Sequence, residues 1–509
     1  MRLGNDLLRP MSVSEFTEHN PWWLDRAAIA KDKLVSEYDS SSFKWNPRLE
    51  KTIQWDADII YVLRGPRQVG KSTLLKLKIR EFMQTGIQPR RVFYWPCDLV
   101  GGPENLVAVV TSYLDLARRD EESRLYIILD EISSVRDWQK GIKSLYDSGR
   151  LRNCTVVLTG SHSIDLRKAS ETLARRRGET YKLKDQLPDK VLLPMKFSEY
   201  VDERSERIQK FVLDLDLRKR ERRHAVWSKI CEGSLPREIK ELEVVAKDVQ
   251  QLFNGYLITG GIPKTIDTYI KTGLISRDLY EGYVDLLVRD ITRWNGNELI
   301  LRQIVRRLVE TVTTPVTLNN LREGTDVSSH HTTGTYLDFL RDSFAVTTIH
   351  KLDKNKDAPV FRNPRKIHFA DPFLFHALKA WALGRDPYRD CINFLSESDR
   401  ISKLVECVVA DHLVRLLFSY QPSAQFDYSN HLFHWDNSKR QLDFVVRMDT
   451  DYLPIEVKYR NTIRSNDAQP ISDFQKGGKS TSGLLLTKDS LAEERSYLQI
   501  PVSLCLMLI

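Results

Sequence analysis

The sequence has few cysteines and no uninterrupted apolar run long enough to cross a lipid bilayer. Its six cysteines are scattered and form no CxxC pair, which argues against a structural zinc site or a disulfide framework and favours buried thiols in a reducing compartment. A membrane span needs roughly 18–20 apolar residues, and the N-terminal 20 residues lack the apolar core of a signal peptide. Internal repeats and long low-complexity linkers are also missing. We therefore expect a cytoplasmic protein with no membrane partner.

The composition is that of a globular, mildly basic chain. Hydrophobic residues make up 41% and charged residues 29% of the 509 residues, as in ordinary globular domains. The formal net charge is +8 and the pI about 8.9, which permits nucleic-acid binding without demanding it. The length exceeds a single hydrophobic core, since domains average about 100–200 residues.

A glycine-rich run is the most informative local feature. It reads GxxxxGKS and consists of Gly65, Pro66, Arg67, Gln68, Val69, Gly70, Lys71 and Ser72, with Thr73 next. Such a loop surrounds phosphates with backbone N–H groups, and the two glycines permit the required backbone angles. Lys71 is expected to reach the β- and γ-phosphates of ATP, and the Ser72 hydroxyl to bind Mg²⁺ at the start of a helix. We expect the whole run, Thr73 included, to contact the nucleotide.

An acidic pair completes the predicted phosphate site. Asp130 and Glu131 follow an apolar run that reads as a strand. Asp130 is predicted to hold Mg²⁺ through its water, and Glu131 to orient and deprotonate the attacking water. The alternative is a chance match, which is disfavoured because the glycine-rich run follows one predicted strand and opens a predicted helix. The sequence therefore predicts an ATP hydrolase.

The same part of the chain alternates strands with helices, which predicts an α/β fold with a parallel sheet covered on both faces. The predicted strands are residues 59–63, 92–95, 125–129 and 155–159, and the predicted helices are residues 72–84, 106–117 and 138–146. Residues 202–250 are dense in charge and predict solvent-exposed helices, with a basic contact surface as the alternative.

From Asn20, Pro21, Trp22 and Trp23 to its end, the chain resembles prokaryotic AAA+-type (archaeal-type) P-loop ATPases that carry a C-terminal domain of unknown function. The resemblance implies a polar sensor after the strand at residues 155–159. Ser161 is the expected group that senses the γ-phosphate, with Thr159 second. It also implies a homo-oligomer, a hexameric ring in many relatives, because an arginine from one subunit completes the ATP site of the next.

Two further elements carry the resemblance less closely. The run Leu173, Ala174, Arg175, Arg176, Arg177, Gly178 corresponds to a Leu-Pro-Gly-Arg-like element whose proline and glycine are replaced here. Arg176 matches the family arginine and is a candidate finger into a neighbouring ATP site; the alternative is a basic loop on nucleic acid or solvent.

The second element is the run Gly260, Gly261, Ile262, Pro263. It is similar to the Gly-x-Pro element of signal-transduction ATPases with numerous domains, and this resemblance implies that Pro263 helps close a helical lid over the nucleotide. As plain chemistry the run is a turn with a rigid stop.

A different pattern occupies the middle of the chain. A short helix at residues 318–322, a turn at Gly324, a helix at residues 329–341 and a strand at residues 345–350 predict a winged helix-turn-helix. Ser328 or Ser329 is a candidate cap of the second helix. Its early positions are polar, as a helix that reads a DNA groove requires. A lid or a protein contact is an equal alternative, because the fold alone does not fix function.

The C-terminal part carries a constellation of acidic residues and a lysine. A helix at residues 398–418 places Glu406 at the edge of its apolar arc, and a strand at residues 441–447 carries Asp443. Glu456 and Lys458 then share one face of the strand at residues 453–458.

This order resembles the PD-(D/E)xK nuclease core. The resemblance implies that Glu406, Asp443 and Glu456 bind Mg²⁺ or Mn²⁺, that Asp443, Glu456 and Lys458 are catalytic, and that Lys458 positions or activates water. The alternatives are a chance pattern and a nuclease fold that binds nucleic acid without cutting it.

The predicted organisation has five parts. They are a lead-in segment (1–50), an AAA+-type P-loop ATPase domain (51–200), a helical lid with a charged insertion (201–300), a winged helix-turn-helix domain (301–397) and a PD-(D/E)xK-like α/β domain (398–509). The first hypothesis is an ATPase that binds DNA and cleaves or remodels it. The second is an ATP-controlled assembly switch whose C-terminal domain is a non-cleaving interaction module. A toxin or defence component is a third possibility.

Overall fold

The computed structural model describes residues 11–118, 123–161, 173, 175–183, 186–293, 296–362, 364–422, 426–437, 439–448 and 451–509. The chain divides into two compact units, Met1–Leu193 and Pro194–Ile509. The sequence had suggested a boundary slightly later, after residue 200.

The first unit is built on a parallel sheet. Its strands are β1 (Ile60–Arg64), β2 (Val92–Pro96), β3 (Leu125–Asp130), β4 (Cys154–Gly160) and β5 (Asp189–Val191), and its helices are α1 (Val13–His19), α2 (Lys33–Ser40), α3 (Lys71–Gln84), α4 (Pro103–Ala117) and α5 (Trp138–Asp147). The strand order is β2-β3-β4-β1-β5, and every pairing is parallel. All seven residues of β4 are buried, as expected for a central strand of a parallel sheet. The predicted α/β fold with a parallel sheet is confirmed, and the predicted elements differ from the observed ones only at their ends.

The N-terminal segment covers the free edge of β2. The Asn20 side chain accepts the backbone N–H of Tyr94 at 2.7 Å and donates to its carbonyl oxygen at 3.0 Å. The indole N–H groups of Trp22 and Trp23 both donate to the carbonyl oxygen of Val92, at 3.1 and 2.9 Å. Because an edge strand otherwise exposes unpaired backbone groups, these three side chains act as a substitute for a neighbouring strand.

The second unit begins with helices. They are α6 (Phe197–Arg204), α7 (Glu206–Asp214), α8 (Arg220–Cys231), α9 (Arg237–Leu242), α10 (Ala246–Thr259), α11 (Pro263–Thr272), α12 (Arg277–Arg293), α13 (Glu298–Glu310), α14 (Leu318–Arg322) and α15 (His330–Asp342). The charged stretch predicted to be solvated is helical but not uniformly exposed. Asp202 is buried and pairs with Arg218, and buried Glu238 pairs with Arg222 at 2.5 Å. Ion pairing lets these carboxylates enter the interior.

A nine-stranded sheet forms the rest of the second unit. Its strands are β6 (Val346–Asp353), β7 (Ala358–Val360), β8 (Lys366–Phe369), β9 (Leu432–Asp436), β10 (Gln441–Met448), β11 (Asp451–Lys458), β12 (Leu484–Thr487), β13 (Ala492–Glu493) and β14 (Leu498–Pro501). The same part of the second unit contains five helices: α16 (Pro372–Leu383), α17 (Pro387–Leu395), α18 (Ser398–Tyr420), α19 (Gln469–Gln475) and α20 (Val502–Leu506).

This sheet crosses the boundary that the sequence placed after residue 397. Strand β6 belongs to the predicted winged-helix segment, yet it pairs in parallel with β9, with His350 opposite Phe433 and Lys351 opposite His434. β6 also pairs with β8 in antiparallel orientation. Backbone pairing therefore joins two segments that sequence periodicity had separated.

The cysteines are ordinary core residues. All six are free thiols, and only Cys231 is not buried.

Across the described ranges, none of the helices combines the length and the apolar character that a bilayer crossing requires.

Candidate nucleotide site and a second polar cluster

The glycine-rich run forms a tight loop between β1 and α3. Gly65 has φ +153°, and a Cβ atom there would lie 2.0 Å from the carbonyl oxygen of Leu192. Gly70 has φ +101° and directly precedes α3. Side chains at these two positions would be strained, so the backbone shape of the loop depends on glycine.

Lys71 lies beneath this loop. It is 5% exposed, and its ammonium donates to the carbonyl oxygens of Gly65 and Pro66 at 2.8 Å each. Ser72 and Thr73 follow in the first turn of α3. The structure therefore gathers the predicted phosphate-binding residues at the carboxyl end of β1, where the N-terminus of α3 favours negative charge.

The acidic pair lies at the carboxyl end of β3. Asp130 is 5% exposed and accepts hydrogen bonds from two hydroxyls: Tyr94 donates to Oδ2 at 2.6 Å, and Thr159 donates to Oδ1. The Thr159 oxygen also accepts the backbone N–H of Glu131 at 2.9 Å. Thr159, the second choice for the sensor, therefore holds the acidic pair in place.

Ser161 lies between the loop and the acidic pair. Strand β4 pairs with β1 on one side and with β3 on the other, so the residue after its carboxyl end is flanked by both. The Ser161 hydroxyl is 3.5 Å from Oε2 of Glu131. The structure thus places Ser161 beside the acidic pair, and its role as a sensor of the γ-phosphate stays a prediction.

Glu131 itself has an unusual environment. Its backbone is in the left-handed region, with φ +51°, a conformation that costs energy in a non-glycine residue and is found at functional sites. Burial raises the pKa of Glu131, while the positive charges of Lys71 and Arg67 act in the opposite direction. Both P-loop cations therefore act electrostatically on this carboxylate.

The residues of this site fit a bound Mg²⁺. The ion prefers hard oxygen ligands and usually keeps several waters. Ser72 offers a hydroxyl at the start of α3, and Asp130 a carboxylate that two hydroxyl donors orient.

Arg176 lies at the other end of the sheet. The Ile60 N–H donates to the carbonyl oxygen of Arg177 at 3.2 Å, which places this arginine-rich segment at the amino end of β1. Arg176 pairs there with Asp147 at 2.7 Å. The glycine-rich loop follows the carboxyl end of the same strand, so Arg176 does not reach the loop of its own chain. A role in a neighbouring subunit stays a prediction.

The Gly260–Pro263 turn is part of the second unit. The Gly261 N–H donates to the Asp371 carboxylate at 2.8 Å, and the Met195 N–H donates to the Gly261 carbonyl at 2.7 Å. Pro263 is the first residue of α11. These contacts define a tight structural turn, and a nucleotide contact by Pro263 stays a prediction.

A second polar cluster lies in the C-terminal part. It brings together the four residues that the sequence had singled out, from α18, β10 and β11: Glu406, Asp443, Glu456 and Lys458. Lys458 pairs with Oε1 of Glu456, whose Oε2 accepts the Asp443 N–H at 3.2 Å. Asp443 Oδ2 accepts the Val457 N–H at 3.0 Å.

Lys366 from β8 is the member of this cluster that sequence reasoning missed. Its side chain is 1% exposed, and its ammonium donates to Asp443 Oδ1 at 2.8 Å and to Glu406 Oε1 at 3.0 Å. The ring of His368 also lies 3.1 Å from Glu406 Oε1. No local pattern in the sequence marks it, since Lys366 is the first residue of the four-residue strand KIHF and follows Arg365.

The cluster behaves electrostatically as a set of mutually neutralising groups. Burial and the neighbouring Asp443 raise the pKa of Glu456 to about 8. For Lys366, burial favours the neutral form, but Asp443 and Glu406 outweigh it and raise the pKa. Burial likewise opposes the charge on Asp443, but Lys366 and Lys458 outweigh it and lower the pKa of that carboxyl.

The arrangement does not fit a bound divalent ion. Lys366 lies between Glu406 and Asp443, two of the three carboxylates that were expected to coordinate the metal, and the remaining oxygens of Asp443 and Glu456 accept hydrogen bonds. Across the described ranges there is no group of three or more histidines, cysteines or acidic residues arranged to hold a metal ion.

The first unit thus has the parallel sheet, the glycine-rich loop and the acidic pair of a P-loop NTPase domain. Residues 57–201 match the family model described as an AAA domain. Residues 250–387 and 402–505 match two domains of unknown function, DUF8612 and DUF4143. The chain therefore carries an AAA+ ATPase-like domain followed by uncharacterised domains.

Two curated relatives are similar over part of their lengths. An uncharacterised protein of Methanocaldococcus jannaschii is 30% identical over 181 residues, which cover 34% of this chain and 35% of the relative. An uncharacterised protein of Haemophilus influenzae is 24% identical over 312 residues, covering 58% of this chain and 64% of the relative. The chain thus spans about a third of the length of the first relative and just under two thirds of the length of the second.

Solved structures are similar to this chain at lower sequence identity. The Aeropyrum pernix ORC1 protein in complex with DNA is 12% identical with a TM-score of 0.29, covering 77% of this chain and 97% of that one. The Thermotoga maritima RuvB Holliday junction branch migration motor is 16% identical with a TM-score of 0.25, and the match covers 67% of this chain and 93% of that one. At TM-scores this low, neither structure informs on what this chain does.

Proposed function

We propose that this protein is a Mg²⁺-dependent ATPase of the AAA+ type whose C-terminal unit contacts DNA. The observation that carries the ATPase part is the gathering of Lys71, Asp130, Glu131 and Ser161 at the carboxyl edge of one parallel sheet. Asp130 ends β3, Glu131 and Ser161 follow β3 and β4, and Lys71 is the first residue of α3 after the loop that follows β1. Phosphate binding and hydrolysis require residues of these types at these positions.

The role of each residue follows from its chemistry. The loop N–H groups and Lys71 bind the β- and γ-phosphates, Ser72 supplies an oxygen ligand for Mg²⁺, and Asp130 holds the ion through its water. Bound Mg²⁺ would neutralise phosphate charge that develops during transfer. Glu131 orients the attacking water and accepts its proton. Ser161 contacts the γ-phosphate from the carboxyl end of β4, the strand between β1 and β3.

The DNA part of the proposal rests on the helices before β6. Helices α14 and α15 are joined by a turn at Gly324, where φ is +73°, and β6, β7 and β8 follow. This order supports a winged helix-turn-helix. His330 and His331 are exposed at the start of α15, behind the Ser329 cap, and a recognition helix uses this region to contact base edges.

Cleavage of DNA is left out of the proposal. Lys366 occupies the position between Asp443 and Glu406, and this observation favours a C-terminal domain that binds without cutting. The ATP-controlled switch is therefore the second candidate. DNA-stimulated ATP turnover would separate it from a DNA-directed ATPase.

The experiment is an ATPase assay on the full chain and two variants. Lys71→Ala should lose tight nucleotide binding, and Glu131→Gln should bind ATP without turning it over. A fluorescent ATP analogue measures binding, and phosphate release measures turnover. Normal turnover by Glu131→Gln would remove Glu131 from the mechanism, and normal turnover by both variants would refute the proposed site.

The DNA part is tested in the same assay with linear, single-stranded and branched DNA. We expect at least one of these to stimulate the wild-type rate. A double substitution of His330 and His331 by alanine should remove the stimulation and leave the basal rate unchanged. Equal rates with and without every DNA would favour the switch.

A further inference from the structure

We infer that Lys366 is a built-in cation that takes the place of a metal ion in the C-terminal cluster. The inference concerns this cluster alone and holds whether or not the first unit hydrolyses ATP. It assigns Lys366 a role that neither the nuclease-like pattern nor the ATPase proposal contains.

The position of the ammonium is the first reason. It donates to one oxygen of Glu406 and one of Asp443, at 3.0 and 2.8 Å. These carboxylates lie on a helix and a strand that are far apart in sequence. A cation between them is needed, because two buried carboxylates repel each other and lose their hydration.

Burial is the second reason. The Lys366 side chain is 1% exposed, so this is no surface lysine that could swing into solvent to admit an ion. Taking an ammonium away from buried carboxylates leaves uncompensated charge, which is strongly destabilising. A divalent ion would have to replace the ammonium in its place.

The remaining oxygens are the third reason. Asp443 Oδ2 accepts the Val457 N–H, and Glu456 accepts the Asp443 N–H and the Lys458 ammonium. Mg²⁺ demands near-octahedral oxygen ligands at about 2.0–2.1 Å. Because the other oxygens already accept hydrogen bonds, a metal ion would have to bind through Asp443 Oδ1 and Glu406 Oε1, which the Lys366 ammonium occupies.

The test compares Mn²⁺ binding by the full chain and its variants without nucleotide. Electron paramagnetic resonance counts the bound ions, because free aqueous Mn²⁺ gives the measured signal. We expect wild type and Asp443→Asn to bind equally, since the wild-type cluster holds no ion. Lys366→Met should bind one additional Mn²⁺ per chain, and the double variant Lys366→Met/Asp443→Asn should lose it.

Lys379 provides the matched control. It is also buried and pairs with a buried carboxylate, Asp390, but it lies outside the cluster. Lys379→Met should be destabilised like Lys366→Met, yet bind no additional ion. Added Mn²⁺ should raise the Tm of Lys366→Met and not that of Lys379→Met.

Two results would overturn the inference. One is wild-type Mn²⁺ binding that disappears in Asp443→Asn, because the cluster would then hold a metal with Lys366 present. The other is a folded Lys366→Met variant that gains no ion. If Lys366→Met fails to fold, the comparison of wild type with Asp443→Asn still decides, since it does not involve that variant.

Discussion

The hydroxyl of Tyr94 donates a 2.6 Å hydrogen bond to Oδ2 of Asp130, from the edge strand β2 to the adjacent strand β3. Tyr94 is itself held by its backbone, because Asn20 pairs with both its N–H and its carbonyl oxygen. Lys76 lies 3.5 Å from the centre of the Tyr94 ring and pairs with Asp32 at 3.2 Å. The N-terminal segment is thereby connected to the proposed Mg²⁺ ligand through one tyrosine.

Tyr94→Phe should therefore weaken ATP turnover by altering Asp130. A hydrogen bond to a charged group contributes about 1.5–3 kcal/mol, so we expect a rate about 10-fold lower at limiting Mg²⁺ and partial recovery at high Mg²⁺. Steady-state rates over a range of Mg²⁺ concentrations measure this.

Tyr113→Phe is the control for that variant. Its buried hydroxyl donates to the Arg90 carbonyl oxygen at 3.1 Å, away from the acidic pair. This control should lose stability without a change in Mg²⁺ dependence. Identical Mg²⁺ profiles for Tyr94→Phe and wild type would show that Tyr94 does not position Asp130.

Thr159 and Ser161 should differ in their effects, although both are small hydroxyl residues of the same strand end. Thr159→Val removes a donor to Asp130 and an acceptor for the Glu131 N–H, so it should lower both stability and turnover. Ser161→Ala should leave the fold and ATP binding intact and slow hydrolysis alone. Thermal unfolding with single-turnover kinetics separates the two, and the reverse pattern would make Thr159 the sensor.

The acid limb of the ATPase pH profile should lie above the ordinary range for a carboxyl group. Burial raises the pKa of Glu131, and only its ionised form accepts a proton from water. The rate should therefore fall, as pH is lowered, at a higher pH than an exposed glutamate would give. Rates of wild type from pH 5 to 8 measure the limb, and Glu131→Gln, with its low residual rate, should not show it. The same limb in both proteins would assign it to another group.

Arg176→Ala tests the finger expectation. Since Arg176 lies at the sheet end opposite the phosphate loop, the variant should bind ATP normally and lose turnover only where subunits associate. Asp147→Asn is the matched variant, because it releases Arg176 from its ion pair and keeps the arginine. Turnover measured against protein concentration distinguishes them; a loss of ATP binding by dilute Arg176→Ala would contradict the expectation.

The sequence predicted the first unit closely because its signals are local. The loop from Gly65 to Ser72 and the pair Asp130 and Glu131 are contiguous motifs, each beside an apolar strand. Strand–helix alternation then leaves few ways to order the sheet. Tyr94 escaped notice because its contact with Asp130 depends on which strands are neighbours, and no short-range pattern encodes that.

The C-terminal cluster could be predicted only in part, because one member reaches the others through strand pairing that no short-range pattern encodes. Glu406, Asp443, Glu456 and Lys458 follow a known spacing, and the structure brings them together. Lys366 reaches them from β8, and it enters the cluster only because β6, β8 and β9 form one sheet system. A division of the chain by periodicity alone put Lys366 in a different domain from its partners.

The side chains of Asn20, Trp22 and Trp23 occupy the backbone groups of an edge strand, and this has a practical consequence for anyone who excises the ATPase-like domain. A fragment starting at residue 57, where the family match begins, would leave the outer side of β2 open. Open strand edges recruit other strands, so such a fragment should self-associate through β2. A ring-shaped oligomer of this fragment would then have to be distinguished from association that the truncation itself causes through the open edge of β2.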